Sequence, residues 1–133
     1  MDKLDYEVEL GVILCRDAFR VDAESADDYI IGYTPMGPCI VTADEIDNVH
    51  DLDITCYVNG EKRQSSNTGY MITTVEEAIA ELSQGMTLSA GTVIATGTPG
   101  GVGMGMKPPV YLESGDVVRC EIENIGVLEN TVE

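Results

Sequence analysis

Leu52, Ile54, Cys56 and Val58 alternate with polar residues and run directly into Asn59-Gly60. Alternation with a period of two marks a half-buried strand, and Asn-Gly after such a run is the strongest short-range hairpin signal, because both residues accept a left-handed backbone. A chain that turns there builds antiparallel sheet, with the return strand starting at Glu61. The remaining segments agree. Tyr6 to Cys15 alternates as a strand, Tyr29 to Thr34 reads as a second, Pro35-Met36-Gly37-Pro38 is a turn, and Cys39 to Thr42 resumes as a strand. Val93 to Thr96 is a further strand, and Val118, Cys120 and Ile122 form the inward face of a late one that follows the Ser114-Gly115-Asp116 turn.

One full helix is expected over residues 75–84. Thr74 and Glu77 form a capping box, Val75, Ala78, Ile79 and Leu82 make one apolar stripe, and Gly85 suits the C′ position. Such a stripe predicts a helix that covers a sheet. Thr42 and Glu45 have the same capping spacing and predict one short helical turn. The chain has 133 residues and no repeat, linker or low-complexity segment, so a single domain spanning residues 1–133 is expected, with a β-dominated α+β fold.

The charge balance removes several partners. With 24 acidic against 7 basic side chains the formal net charge is −17, which repels the phosphates of nucleic acid and the head groups of anionic membranes. Hydrophobic residues still make up 44% of the chain, too many for a disordered acidic tail. No apolar run approaches the roughly 20 residues that span a bilayer. Met1-Asp2-Lys3-Leu4-Asp5 also lacks a basic-then-apolar leader, so a soluble cytoplasmic protein is expected. The four cysteines, at 15, 39, 56 and 120, have no Cys-x-x-Cys spacing, which predicts small buried hydrophobes. His50, the single histidine, sits in a polar connection and reads as a solvated loop residue.

Two segments could carry chemistry. In Asp5-Tyr6-Glu7-Val8-Glu9-Leu10-Gly11, residues two apart share a strand face, so Glu7 and Glu9 point the same way, about 7 Å apart along the chain. Their face continues through Gly11 and Ile13, which fits the lip of a cavity. Carboxylates converging there repel unless a cation lies between them, and an oxygen-only donor set favours Mg²⁺, Mn²⁺ or Ca²⁺. In a chain with 24 acids, a solvated strand face is the plainer reading of the same spacing. The second segment, Gly97 to Gly105, packs five of the fourteen glycines into nine residues after a strand. Backbone amides in such a loop can approach an anion or carboxylate, although a plain flexible connection has the same composition. It is not a nucleotide loop, because Lys107 precedes Pro108-Pro109, where the phosphate pattern needs Ser or Thr and the dinucleotide pattern needs a helix.

The wording of the segments goes further than their spacing. Asp5-Tyr6-Glu7-Val8-Glu9-Leu10-Gly11-Val12, Pro35-Met36-Gly37-Pro38-Cys39-Ile40-Val41-Thr42, Val58-Asn59-Gly60-Glu61 with Gln64, Thr68 and Met71, Leu82 to Leu88, Thr96 to Gly103, Ser114-Gly115-Asp116 and Ile125 to Val132 closely resemble the fumarylacetoacetate hydrolase family, in that order. The match covers nearly the whole chain. The resemblance implies a mixed β-roll or pseudo-barrel, a homodimer, and an acidic triad that binds Mg²⁺ or Mn²⁺. It implies action on small 2-oxo or dioxo carboxylic acids: carbon–carbon hydrolysis of acylpyruvates, isomerisation of hydroxymuconate-type intermediates, or decarboxylation of oxaloacetate-like acids, each through an enolate that the metal stabilises. By motif match Glu7 and Glu9 are two of the three metal ligands, and Thr98, with the Gly97 backbone beside it, contacts the substrate carboxylate.

The chain also departs from the family pattern. A lid segment that carries the third metal carboxylate and a substrate-facing Lys is absent, since Thr34 joins Pro35 directly. The family's upstream His-x-x-Glu run is absent as well, so the resemblance assigns no catalytic acid or base within this sequence. Two readings follow: a shortened version of a competent enzyme, or a binding or scaffold protein that keeps the roll and the dimer surface.

Overall fold

The computed structural model describes residues 3–133. Two four-stranded sheets, each antiparallel throughout, dominate it. The first contains β1 (Gly11–Leu14), β2 (Ile30–Thr34), β3 (Val41–Thr42) and β6 (Val93–Ala95) in the order β3-β2-β1-β6. The second contains β4 (Asp53–Val58), β5 (Glu61–Asn67), β7 (Val117–Ile122) and β8 (Gly126–Thr131) in the order β5-β4-β7-β8. One α-helix, α1 (Val75–Gly85), completes the α+β architecture together with four short 3₁₀ turns. No helix among the described residues is long and apolar enough to cross a membrane.

The hairpin forms where the alternation places it. Asn59 and Gly60 take φ of 53° and 79°, a left-handed pair that matches the twist of β4 and β5. The Asn59 side chain donates to the Asp116 carboxylate at 2.7 Å and accepts from the Val117 N–H at 2.9 Å, so the turn also anchors the start of β7. One row across this sheet sets Gln64, Cys56, Cys120 and Leu128 side by side. In the first sheet Val12 lies between Tyr33 and Ile94. Residues from both sheets and from α1 join in one buried cluster that includes Leu10, Val12, Leu14, Ile54, Cys56, Val75, Ile79 and Ile122. Burial of such side chains at about 1.5–3 kcal/mol each supplies the main force holding the elements together.

The structure changes three expectations. Cys56 and Cys120 are buried, with their sulfurs 3.9 Å apart, but Cys15 and Cys39 are exposed. A register shift between Ile13 and Leu14 breaks the alternation of β1, so that Cys15 emerges outward. Helix α1 has its capping box, but its buried residues are Val75, Ile79 and Ser83, while Leu82 is exposed. Chain from Arg20 to Val21 crosses the helix there: Arg20 N–H donates to the Ser83 carbonyl and Val21 N–H to the Ser83 hydroxyl, a close approach that favours a small polar side chain. Gly85 is the last helical residue rather than a left-handed cap.

Candidate active site

Residues 6–10 are extended and alternate as the sequence predicts, with Tyr6, Val8 and Leu10 buried and Glu7 and Glu9 turned outward. They nevertheless form no sheet ladder, and β1 begins only at Gly11. Their backbone groups are paired mainly by side chains. Gln64, itself 1% exposed, accepts from Val8 N–H through Oε1 at 3.1 Å. Thr98 Oγ1 donates to the Val8 carbonyl at 2.9 Å, and Thr96 Oγ1 donates to the Leu10 carbonyl at 2.9 Å. The Gln64 Nε2 group donates at 2.8 Å both to Thr98 Oγ1 and to the Pro99 carbonyl. A single buried amide thus fastens the acidic segment to the glycine loop.

The loop does bring backbone amides to carboxylates, and those carboxylates belong to the chain itself. Glu9 Oε2 accepts from Gly97 N–H at 2.9 Å. The Asp5 carboxylate accepts from Gly103 N–H and Met104 N–H, each at 2.7 Å. The structure therefore brings Glu7, Glu9, Gly97 and Thr98 together, with Glu9 touching the residue beside Thr98. The Thr98 hydroxyl is turned inward to Val8, and its backbone N–H has no partner among the described residues. A cavity of about 500 Å³ opens beside the loop, lined by Thr98, Gly100, Asn67, Thr68, Tyr70 and Met71 among others. Neither Glu7 nor Glu9 lines it.

Glu7 and Glu9 lie close enough to share a proton between their carboxyl groups. Burial, the shared hydrogen-bond contact with Glu9 and the charges of Glu9 and Asp5 push the Glu7 carboxyl above its ordinary value. A group raised in the folded state adds stability below its unfolded value of 4.5, and that stability is lost as pH rises through the higher folded value. The ionised pair is therefore destabilising at neutral pH when no cation is bound. Glu7→Gln is expected to raise stability near pH 7 in a chelator and to leave it unchanged or lower near pH 4, as read by urea unfolding at the two pH values.

This pair fits a hard divalent ion as two of its ligands, through the oxygen donor set and the repulsion a cation would relieve. Among the described residues no group of three or more His, Cys, Asp or Glu side chains is placed to hold a metal. The Thr34 to Pro38 connection shows why no third carboxylate arrives from that side. The Thr34 hydroxyl bonds the Cys39 carbonyl and the Gly37 N–H, closing a tight turn, and Met36 lies over Gly11, two residues from Glu9. His50 lies in another part of the fold, with Nε2 2.9 Å from Glu76 Oε1, so it is a paired residue rather than a freely solvated one.

Sequence reasoning missed Asp5 and Gln64 as organisers of this site. Gln64 stands in Glu61-Lys62-Arg63-Gln64-Ser65-Ser66, a strand with no apolar alternation, so nothing in the pattern marks it as inward. Its only signal is its place among the residues that carry the family resemblance.

The comparisons agree with the fold. The sequence model for the fumarylacetoacetate (FAA) hydrolase C-terminal domain matches residues 1–36 and 32–133, two pieces that overlap over residues 32–36, around the Thr34-Pro35 junction. An uncharacterised protein of Staphylococcus saprophyticus is 39% identical over 158 aligned residues, covering 98% of this chain and 52% of that protein. The alignment is longer than the chain, so this relative carries residues that the chain lacks, and the chain spans about half the length of the curated relatives it matches. The structure of a fumarylacetoacetate hydrolase from psychrophilic Exiguobacterium antarcticum superposes with a TM-score of 0.94 at 41% identity, over 100% of this chain and 57% of that one. Maleylpyruvate hydrolase from Sphingobium sp. SYK-6, solved in complex with manganese(II) and pyruvate, matches with a TM-score of 0.88 at 29% identity, over 98% and 54%. With matching motifs, matching fold and a family model covering the described domain, the chain belongs to the fumarylacetoacetate hydrolase family.

Proposed function

We propose that the chain carries part of a divalent-metal site, Glu7 and Glu9, and that it acts on small 2-oxo or dioxo carboxylic acids of the acylpyruvate type. Carbon–carbon hydrolysis is the leading reaction, and isomerisation or decarboxylation of related acids is the alternative. The observation that carries this reading is the 2.9 Å contact between Glu9 and the Gly97 amide, which sets the carboxylate pair against the start of the glycine loop, where Thr98 follows. The relative solved with manganese(II) and pyruvate supports a divalent ion and a small 2-oxo acid as what this family binds. A bound Mg²⁺ or Mn²⁺ supplies the Lewis acid that such chemistry requires. The chain's own residues supply the frame. Glu7 and Glu9 hold the ion, the Thr98 N–H is a donor left over for a substrate carboxylate, and Gln64 fixes the distance between them. By the family resemblance the assembly is a homodimer, and the sequence composition supports a cytoplasmic location.

A second reading, a binding or scaffold protein, draws on a specific observation: the loop amides of Gly97, Gly103 and Met104 are already occupied by Glu9 and Asp5. Thermal unfolding with Mn²⁺ and oxalate, a mimic of the pyruvate enolate, separates the two. At about a hundred times its Kd, a ligand of the native state adds about 2.7 kcal/mol, a rise of about 10 °C for a domain of this size. That rise is expected in the unaltered chain and is expected to vanish in Glu7→Ala and Glu9→Ala. No rise at millimolar metal would favour the scaffold.

A further inference from the structure

Cys56 of β4 and Cys120 of β7 face each other across the second sheet, and both are buried, at 0% and 8% exposure. The hydrogen bonds at the two ends of this ladder fix what kind of pair they form. Glu123 N–H donates to the Asp53 carbonyl and Asn59 N–H to the Val117 carbonyl, so bonded pairs recur at every second residue between Asp53 and Asn59, and Cys56 with Cys120 is a non-bonded pair. In such a pair the Cα atoms stand about 4.5 Å apart and the side chains are at their closest. A disulfide accepts Cα separations of about 4.4–6.8 Å, so the backbone already has the span of one. The sulfurs are 3.9 Å apart, and side-chain rotation closes them to the bonded distance of about 2.05 Å. The Cys120 sulfur also lies 3.9 Å from the Glu7 carbonyl oxygen, and its S–H is the one donor that carbonyl has among the described residues. Cys15 and Cys39 are exposed, and their thiols turn to the Asp28 and Ile125 carbonyls rather than to another sulfur.

We propose that Cys56 and Cys120 form a reversible thiol–disulfide switch behind the Glu7 segment, closed by a peroxide. In the first step the sulfur of Cys120, the less buried of the two, attacks one peroxide oxygen. The O–O bond breaks, Cys120 becomes a sulfenic acid and one water leaves. In the second step the Cys56 sulfur attacks the Cys120 sulfur, the S–O bond breaks, and the hydroxide leaves as a second water with the proton of the Cys56 thiol. The two sulfurs lose two electrons in all, and the peroxide gains them. A dithiol restores both thiols and is itself oxidised to a disulfide. Closure removes the S–H that reaches the Glu7 carbonyl, so oxidation leaves that carbonyl without its donor. A metal is the other common ligand of paired thiols, but no third His, Cys, Asp or Glu among the described residues completes a site with them. The inference concerns the Glu7 backbone and is independent of the reading of Glu7 and Glu9 as metal ligands.

Treatment of the full chain with hydrogen peroxide tests it, with the remaining free thiols alkylated in urea and the disulfide-linked peptides identified by mass. The peptide pair joined through Cys56 and Cys120 is expected to exceed every other pairing at least about tenfold, because the fold holds these two sulfurs together, and to disappear with dithiothreitol. Peroxide added to the urea-unfolded chain is expected to give no such excess. In amide spectra of the folded chain the Val8 N–H, which shares a peptide group with the Glu7 carbonyl, is expected to shift on oxidation and to return on reduction. It is expected to stay unmoved by peroxide in Cys120→Ala. The mass mapping uses only the unaltered chain and does not depend on that variant folding. Cys56 and Cys120 recovered as free thiols after peroxide would show an inert buried pair and overturn the proposal. So would the same excess in urea, or a disulfide that leaves the Val8 amide where it was.

Discussion

Gly103→Ala is expected to destabilise the domain by about 3 kcal/mol, read as a lower urea midpoint with an unchanged slope. A Cβ at this position would lie 1.9 Å from the Val110 carbonyl oxygen and 2.8 Å from Asp5 Oδ1. Neither neighbour can yield cheaply. The Gly103 carbonyl accepts from Val110 N–H at 3.0 Å, and the Gly103 N–H donates to Asp5, so relief of the clash breaks bonds on both sides of the residue. A hydrogen bond to a charged group contributes about 1.5–3 kcal/mol, and the steric strain adds to it. Gly105→Ala is the matched control. Its Cβ would meet only Val102 Cγ2, at 3.6 Å, an ordinary contact at a backbone angle that alanine accepts. That variant is expected to be neutral or stabilised by up to about 1 kcal/mol. Glycine in this loop therefore serves close backbone packing against Asp5 and Val110 at one position and only local freedom at another.

What could be read in the sequence was the local chemistry. Asn59-Gly60 specifies its turn by backbone preference alone, and Thr74 with Glu77 specifies a helix start three residues long, so both form as expected. What could not be read were partners distant in the chain. Ser83 is buried because the chain from Arg20 to Val21 crosses the helix, a contact 62 positions away. Residues 6–10 alternate like a strand, but which groups take up their backbone bonds depends on Gln64, Thr96 and Thr98. β8 showed no alternation because its residues are half-buried or exposed on both faces. Glu7 and Glu9 were legible as a pair from their spacing. Their contact with the loop needed the fold, since Glu9 and Gly97 are 88 positions apart.

The Thr34 to Pro38 turn bears directly on what the site can do. A longer connection at this place would have to leave and rejoin the sheet beside Gly11, two residues beyond Glu9. Here that space is covered by Met36, with Thr34 Cγ2 equally close to Gly11. A sulfur and a methyl group lie against Gly11, two residues from Glu9, and neither is a ligand for a hard ion. A hard ion held by two carboxylates and otherwise by water binds more weakly than one held by three, so the metal response proposed above calls for millimolar rather than micromolar concentrations.

Gln64→Leu is expected to destabilise the domain by about 3 kcal/mol while nearly preserving side-chain volume. The change removes one acceptor and two donors at once. Val8 N–H loses its partner inside the core, the Pro99 carbonyl loses its donor, and the Thr98 hydroxyl keeps its bond to the Val8 carbonyl but loses the donor it accepts from. Hydrogen exchange at the Val8 amide separates this cause from a general loss of packing, because Val8 should become the first residue of its segment to exchange. Loosening between Val8 and Thr98 also widens the gap between Glu9 and the loop, so the Mn²⁺ and oxalate response should weaken even where the variant is fully folded. Gln64→Glu sharpens the test through pH. The introduced carboxyl can still accept from Val8 N–H, but when ionised it has no proton to give to Thr98 or Pro99, whose oxygens it must face. Its folded pKa is then raised, so its contribution is present below the unfolded glutamate value and lost as pH rises through the folded one. Stability close to that of the unaltered chain in mild acid, falling steeply toward neutral pH, is the expected profile, whereas parallel profiles for the two proteins would show that Gln64 fills space without fastening the loop.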